Sequence, residues 1–330
     1  MSNRQSHSRI AWIAISSLLL ETTLAAQTSA AGPKAVPARE GIIAACKQYP
    51  VVIIGEAHWL REAGDLYVQL VRDPQFQSAV QDIVVEFASR NNQVLLDRYI
   101  AGENVPTQDL QRIWRDTTKV ASWESPIYAR WLAAIREANG RLPASRRMRV
   151  LAGDTAIDWS RIHTHSDWAV LGDNNISFAD VIVEQVLKNK HHALVVLGTN
   201  HVTKSGDRNG GENTTTRIES RYPGSTHAVL LIYHRTLNSA SQKVLRLADQ
   251  VPPVVFDLNQ PSLSKLIDQD ESLLSKKADA LLYLGPPDSL QLVPPPPGSL
   301  EPTYLKEVDR RSMIEWGELR ARKFLGSAAQ

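Results

Sequence analysis

The chain has 330 residues, 43% of them hydrophobic, enough to bury a large core as one large domain or two small ones. Its 37 basic and 35 acidic residues leave a net charge of +2, which excludes the strong field that nucleic acid or an anionic membrane would require and points to a small-molecule or peptide partner. A single cysteine, Cys46, excludes an intramolecular disulfide.

The amino terminus reads as an export signal over residues 1–31. "MSNRQSHSR" is basic, "IAWIAISSLLL" is apolar, and "TTLAAQTSAAG" supplies small residues at cleavage points. An apolar run of about eleven residues is too short to span a bilayer core of about 30 Å as a helix. The expectation is an exported protein, periplasmic or secreted, that starts between Ala26 and Gly32 and has no transmembrane span once mature. Cys46 lies too far along for lipid attachment and reads as a small, half-buried hydrophobe in "GIIAACKQYP".

Short apolar runs then recur, each reading as a strand buried on both faces: "VVIIG" at 51, "DIVVEF" at 82, "MRVLAGD" at 148, "ALVVLG" at 193, "HAVLLIYH" at 227 and "ADALLYLG" at 278. Between them, "WESPIYARWLAAIREANG" spaces Ile127, Trp131, Leu132 and Ile135 at helical intervals, and "ISFADVIVEQVLKNK" predicts a helix starting on Ser177. The alternation predicts an α/β fold over 32–285, with a mostly parallel central sheet flanked by helices and a cleft at the C-terminal ends of its strands. The proline-rich stretch from 286 predicts an extended strap, followed by a short helix near "RRSMIEWGELRARKFLG", to residue 330.

Polar groups gather at those strand ends. They are Glu56 and His58 after the first run, Glu86 and Arg90 at and after the second, Asp154 after the third, and Asn200 and His201 after the fourth. Gly55 and Gly198 each precede a histidine by three residues and let the chain turn sharply or pass close to a bound group. Each residue also has a plainer reading. A lone histidine packs, Glu86 and Arg90 form a structural pair, and Asp154 caps a turn. The histidines of "HTH" (163–165) and "KHH" (191–192) read as solvated. Trp114, Trp123, Trp131 and Trp159 read as core, while Trp59, next to His58, reads as a wall of the site.

An imidazole beside a carboxylate can take a proton from water, and an arginine with loop N–H groups can hold the oxyanion that forms. No G-x-S-x-G occurs, so water is the economical nucleophile. Two histidines and two carboxylates also suit a divalent metal, and spacing does not separate the two readings.

The pattern resembles the superfamily that unites erythromycin esterases, ChaN-like haem-uptake lipoproteins and TIKI/TraB proteins. The likeness covers about residues 48 to 235. It rests on "GEAHWLREAGDLYVQLV", "IVVEFASRNNQVLLDRYIAG", "WESPIYARWLAAIREAN" with "VLAGD", and "VVLGTNHV". It implies that Glu56, His58, Glu86 and His201 line the pocket; with the strand-end reading, these four are the expected catalytic groups, and Trp59, Arg90, Asp154 and Asn200 are expected around the substrate. The implied activity is hydrolysis of an ester or amide; the alternatives are a TIKI-like metal-dependent protease or a ChaN-like haem-binding protein, so that no cofactor, a divalent metal and haem all stay open. The chain departs from the pattern where Trp59 replaces the glycine usual in the esterases. It has no lipid-attachment cysteine, and Tyr67, Tyr99 and Tyr128 fall at helical core spacing rather than as evident haem ligands. The oligomeric state is not legible.

Overall fold

All six apolar runs fold as strands. The computed structural model describes residues 34–207, 209–233, 239–246, 251–260, 263 and 274–326. The chain divides into two units, Met1–Ala31 and Gly32–Gln330; the first, with the expected export segment, lies outside the described residues.

In chain order the strands of the second unit are β1 (Ala35–Pro37), β2 (Val51–Glu56), β3 (Asp82–Ser89), β4 (Arg149–Asp154), β5 (Ala193–Gly198), β6 (Thr226–Leu231), β7 (Val254–Asp257) and β8 (Ala280–Tyr283). They form one sheet in the order β1-β7-β8-β6-β2-β5-β3-β4. From β8 to β4 every neighbouring pair is parallel, and β7 alone runs against its neighbours. The architecture is the mostly parallel α/β sheet that the alternating pattern predicts. β1 and β7 escaped that pattern because they are short; β1, at the edge of the sheet, ends in Pro37, and Pro253 directly precedes β7.

Along β2 every residue is buried, and alternate side chains serve opposite faces. Val52 and Ile54 pack with Ile83, Val85, Leu194 and Val196 under the helices Ala38–Gln48, Arg61–Arg72, Gln93–Ile100 and Pro126–Gly140. Val51 and Ile53 join Val84, Val195 and Leu197 under the helices Asn174–Val181 and Thr214–Arg221. A third apolar cluster, including Val120, Ile157, Trp159, Leu300, Leu305 and Ile314, lies apart from both.

Several boundaries differ from expectation. The helix expected at Ser177 begins at Asn174, because Asp173 accepts the Asn175 N–H and caps it; Ser177 lies inside and donates to the Gly153 carbonyl. A π-helical turn, Ile182–Leu187, continues it. The single short helix expected near residues 310–326 is two, Pro302–Trp316 and Arg320–Leu325, with Gly317 at φ 71 ending the first. The strap before them pairs with the loop after β2: Leu292 bridges Leu60, Val293 N–H donates to the Trp59 carbonyl at 2.8 Å, and Arg61 N–H to that of Gln291 at 2.8 Å. Cys46 is wholly rather than half buried, on the helix Ala38–Gln48, and burial pushes its thiol up to about 12. No helix among the described residues is long and apolar enough to cross a membrane.

Gly55 does not turn the chain. It lies within β2, which continues to Glu56, and its backbone is outside the left-handed region. Glycine is required instead by close approach, since a Cβ there would lie 3.1 Å from Thr199 Cα and 3.2 Å from Leu230 Cδ2. Gly55→Val is therefore expected to cost about 1–3 kcal/mol through overpacking rather than through its dihedrals. A denaturant midpoint equal to that of the wild type would show that the strand and its neighbours have room.

Candidate active site

The two strands that flank β5 deliver the acidic groups. Glu56 ends β2 opposite Gly198, the last residue of β5. β3 keeps register with β5 only as far as Val85, and its pairing with β4 breaks between Val85 and Ser89. Glu86 thus stands where β3 leaves its ladders, beside the same C-terminal edge. Both carboxylates are 4% exposed.

Each carboxylate meets a histidine from the loop after a neighbouring or its own strand. Glu56 Oε1 is 2.9 Å from His58 Nδ1, and since a carboxylate only accepts, Nδ1 carries the hydrogen. Glu86 Oε1 is 3.6 Å from His201 Nε2, while its Oε2 accepts the Gly198 N–H at 2.5 Å. Burial alone would raise the Glu86 carboxyl. The charge and hydrogen bond of His201, the nearby His58 and the Gly198 N–H outweigh it and hold the group down to about 2. A Cβ on Gly198 would lie 3.4 Å from Glu86 Oε2, 3.5 Å from His58 Cε1 and 3.7 Å from His201 Cδ2. Glu56, His58, Glu86 and His201 therefore share one cleft, and the bare face of Gly198 is its floor.

Supporting side chains include several that the sequence did not single out. Trp123 sets its ring edge-on to His58 at 4.3 Å. The Tyr128 hydroxyl lies 3.4 Å from Glu56 Oε1 and receives the Trp59 N–H at 3.4 Å. Asn175 places its Oδ1 2.8 Å from His201 Nδ1. Tyr128 and Trp123 are visible in the sequence only as core aromatics, since their rings are core. Asn175, in a polar stretch beside a helix cap, carries no signal.

Trp59 has φ 67, a conformation costly for a bulky residue, which explains why a glycine at this position is the simpler solution. Its indole N–H donates to the Ser122 carbonyl at 2.7 Å, and its ring packs against two of the apolar clusters. It braces the turn that carries His58.

Three expected site residues stand elsewhere or act otherwise. Arg90 does not pair with Glu86. It is exposed, in a groove with Gln93, Asp97 and Arg149, because the chain leaves β3 into the turn Arg90–Asn92 and carries it away. Asn200 is exposed beside His201. Asp154 is 1% exposed and holds the loop before the helix Pro126–Gly140, accepting Thr118 N–H at 2.6 Å and the Thr118 hydroxyl at 2.7 Å. The "KHH" histidines are half-buried and bonded rather than solvated: His191 meets Asp82 at 2.9 Å, and His192 the Cys46 carbonyl at 2.7 Å, at the far end of the sheet.

The donor set does not fit a metal centre: among the described residues no group of three or more His, Cys, Asp and Glu side chains is placed to hold an ion. Tyr67 and Tyr128 are 3% and 2% exposed, and Tyr99 is covered by Arg136 at 4.8 Å, so none of these phenols presents itself as a haem ligand. A cavity of about 170 Å³ opens on His201, lined also by Thr118, Lys119, Trp168 and Asn174. A larger groove of about 730 Å³ contains none of the cleft residues. Two of its arginines, Arg310 and Arg311, are engaged by Glu307 and backbone carbonyls, so it is a structural seam.

No protein-family model and no curated protein sequence matches the chain. Solved structures do. A mutant of the erythromycin esterase EreC in its open conformation is similar at 12% identity, over 77% of this chain and 94% of that one, with TM-score 0.54. A succinoglycan biosynthesis protein is similar at 11% identity, over 77% and 93%, with TM-score 0.52. ChaN of Campylobacter jejuni, described with cofacial haem, is similar at 12% identity, over 75% and 92%, with TM-score 0.41. The likeness is one of fold. The fold of the second unit is similar to those of the esterase and the succinoglycan biosynthesis protein.

Burial pushes the Asp154 carboxyl up to about 7, against the two Thr118 hydrogen bonds that favour its ionised form. Its folded value exceeds that of an unfolded aspartate, about 3.9, so the folded state holds this proton more tightly. Asp154 therefore adds stability as pH falls from about 7 towards 4, and loses it as pH rises through 7. The melting-temperature advantage of the wild type over Asp154→Asn should be larger at pH 5.5 than at pH 8.5. Parallel pH dependence of the two proteins would count against a buried proton at this position.

Proposed function

We propose that this protein is an exported hydrolase of the erythromycin-esterase type, which cleaves an ester or amide of a small molecule or peptide with water activated by His58. The supporting observation is the Glu56–His58 contact: with the hydrogen fixed on Nδ1, Nε2 is the basic nitrogen of the neutral ring. Glu56 then stabilises the imidazolium as His58 takes a proton from water. Only the carboxylate of the pair is buried, and on that side little water screens it. Trp123 supports the imidazole by its edge contact. Arg90, expected from sequence as an oxyanion holder, is not part of this reading.

His58 is 39% exposed in its side chain, so its removal opens no core cavity. His58→Ala is expected to lower turnover of the best substrate in a panel of esters and amides by about 10²–10⁴-fold, and to cost about 1–3 kcal/mol of stability because it takes from the buried Glu56 carboxylate its imidazole partner. Undiminished turnover would return His58 to a packing role. Export has its own readout: mass spectrometry of protein from an exporting host should find a new terminus between Ala26 and Gly32, and an intact Met1 on a protein that stays inside the cell would refute it.

A further inference from the structure

The cavity of about 170 Å³ beside His201 shares that imidazole with the cleft, since His201 lines the one and stands over Gly198 in the other. Its remaining walls come from Thr118 and Lys119, in the loop after the helix Thr107–Arg115, and from residues between 168 and 174. Pockets that enclose a whole drug-sized molecule run from about 300 Å³ upwards, so this one takes an arm of a ligand rather than all of it. The Trp168 ring, Ala169 and Leu171 give it an apolar side.

The other polar walls are already engaged. The Thr118 hydroxyl donates to Asp154 Oδ1 at 2.7 Å and receives an amide hydrogen of Asn174 at 2.7 Å, while Asn174 Oδ1 accepts the Thr155 hydroxyl at 2.8 Å. The Trp168 indole N–H donates to the Thr118 carbonyl at 3.4 Å. Asp173 Oδ1 accepts the Asn175 N–H at the positive end of the helix Asn174–Val181, and its Oδ2 faces Arg217 at 3.8 Å, so that carboxylate is already offset. Lys119 differs. Its side chain is 40% exposed, its ammonium has three hydrogens to donate, and its contact with Glu315 Oε1 is 3.5 Å, longer than the roughly 2.7–2.9 Å of a charge-assisted hydrogen bond. The same Nζ lies 5.7 Å from the centroid of the Trp168 ring, which sets the charge beside the aromatic wall of the cavity.

We infer that this cavity is a subsite for one anionic arm of the substrate, with Lys119 the residue that selects it and Trp168 the wall against which it lies. An ammonium is a point charge without the planar fork of a guanidinium, and a single one matches a single negative charge. The arm is therefore a carboxylate on a short or aromatic segment. Glu315, which is buried, competes for the same ammonium and holds it near the cavity until a ligand carboxylate offers a closer contact. The anion site stands on its own; that the arm belongs to a substrate rests on the hydrolase reading.

NMR titration of ¹⁵N-labelled full-length protein with benzoate, and with its neutral partner benzamide, tests the site through the Trp168 indole N–H signal, which Trp168→Phe identifies. Benzoate is expected to move that signal at a concentration about 10-fold lower than benzamide does. Lys119→Met should erase the difference, and Glu315→Gln, which releases the ammonium, should tighten benzoate about two- to fivefold. Equal affinity for the two ligands, or equal affinity of wild type and Lys119→Met for benzoate, overturns the inference. Loss of Lys119 strands the buried Glu315; should that variant not fold, Lys119→Met combined with Glu315→Gln takes its place. Turnover is read on two matched pairs that put the charge on either side of the scissile ester: para-acetoxybenzoate against para-acetoxybenzamide, and the phenyl monoester of succinate against its amide. In at least one pair the acid should have the higher kcat/KM, by about 10-fold, and Lys119→Met should remove that preference. No preference in either pair overturns the substrate role. If none of these esters is cleaved, the hydrolase reading fails, and the titration alone judges the anion site.

Discussion

Two carboxylates almost sealed from water stand near the C-terminal edge of the sheet on parallel strands that flank β5, Glu56 on β2 and Glu86 on β3. An ionised carboxylate placed there without partners would cost several kcal/mol, so the surrounding chain is committed to neutralising them. The sheet order inserts β5 between β2 and β3, and with it the Gly198 N–H and the loop carrying His201. The same constraint draws the partners of both acids together over the Cα of Gly198.

The outlines of this arrangement were legible in the sequence because burial on both faces leaves a plain mark. Six uninterrupted apolar runs encode six strands, and an acid inside "IVVEF" is conspicuous because nothing else there is polar. The parts that stayed hidden are those whose meaning depends on another segment. Gly55 looks like a turn residue until Thr199 is set against it. Arg90 is Glu86's neighbour along the chain, yet the turn after β3 carries it off, and the true partner of Glu86 comes from residue 201. Tyr128 occupies a core position by its ring and an active-site position by its hydroxyl, and helical spacing reports only the first.

Duplication of a motif need not mean duplication of a role. Both Gly-x-x-His stretches follow a buried strand and bring an imidazole to a buried acid, but the partners of the two Nδ1 atoms differ. His58 turns Nδ1 to the Glu56 carboxylate, whereas His201 turns Nδ1 to the Asn175 amide oxygen and Nε2 towards Glu86. Sequence reading gives both histidines the same weight, whereas the atoms around them set the two rings apart.

The strap near the carboxyl end lies against the turn that bears His58, with Val293 bonded to Trp59 and Leu292 bridging Leu60. Trp59 holds its left-handed backbone under that clamp and the indole contact with Ser122. A strained conformation persists only when its surroundings over-determine it. The turn that bears His58 is thus braced from both halves of the sequence, by Ser122 and Tyr128 on one side and by the strap on the other. Cutting the chain before residue 290 would take away the second brace and leave a left-handed tryptophan to be held by the first alone.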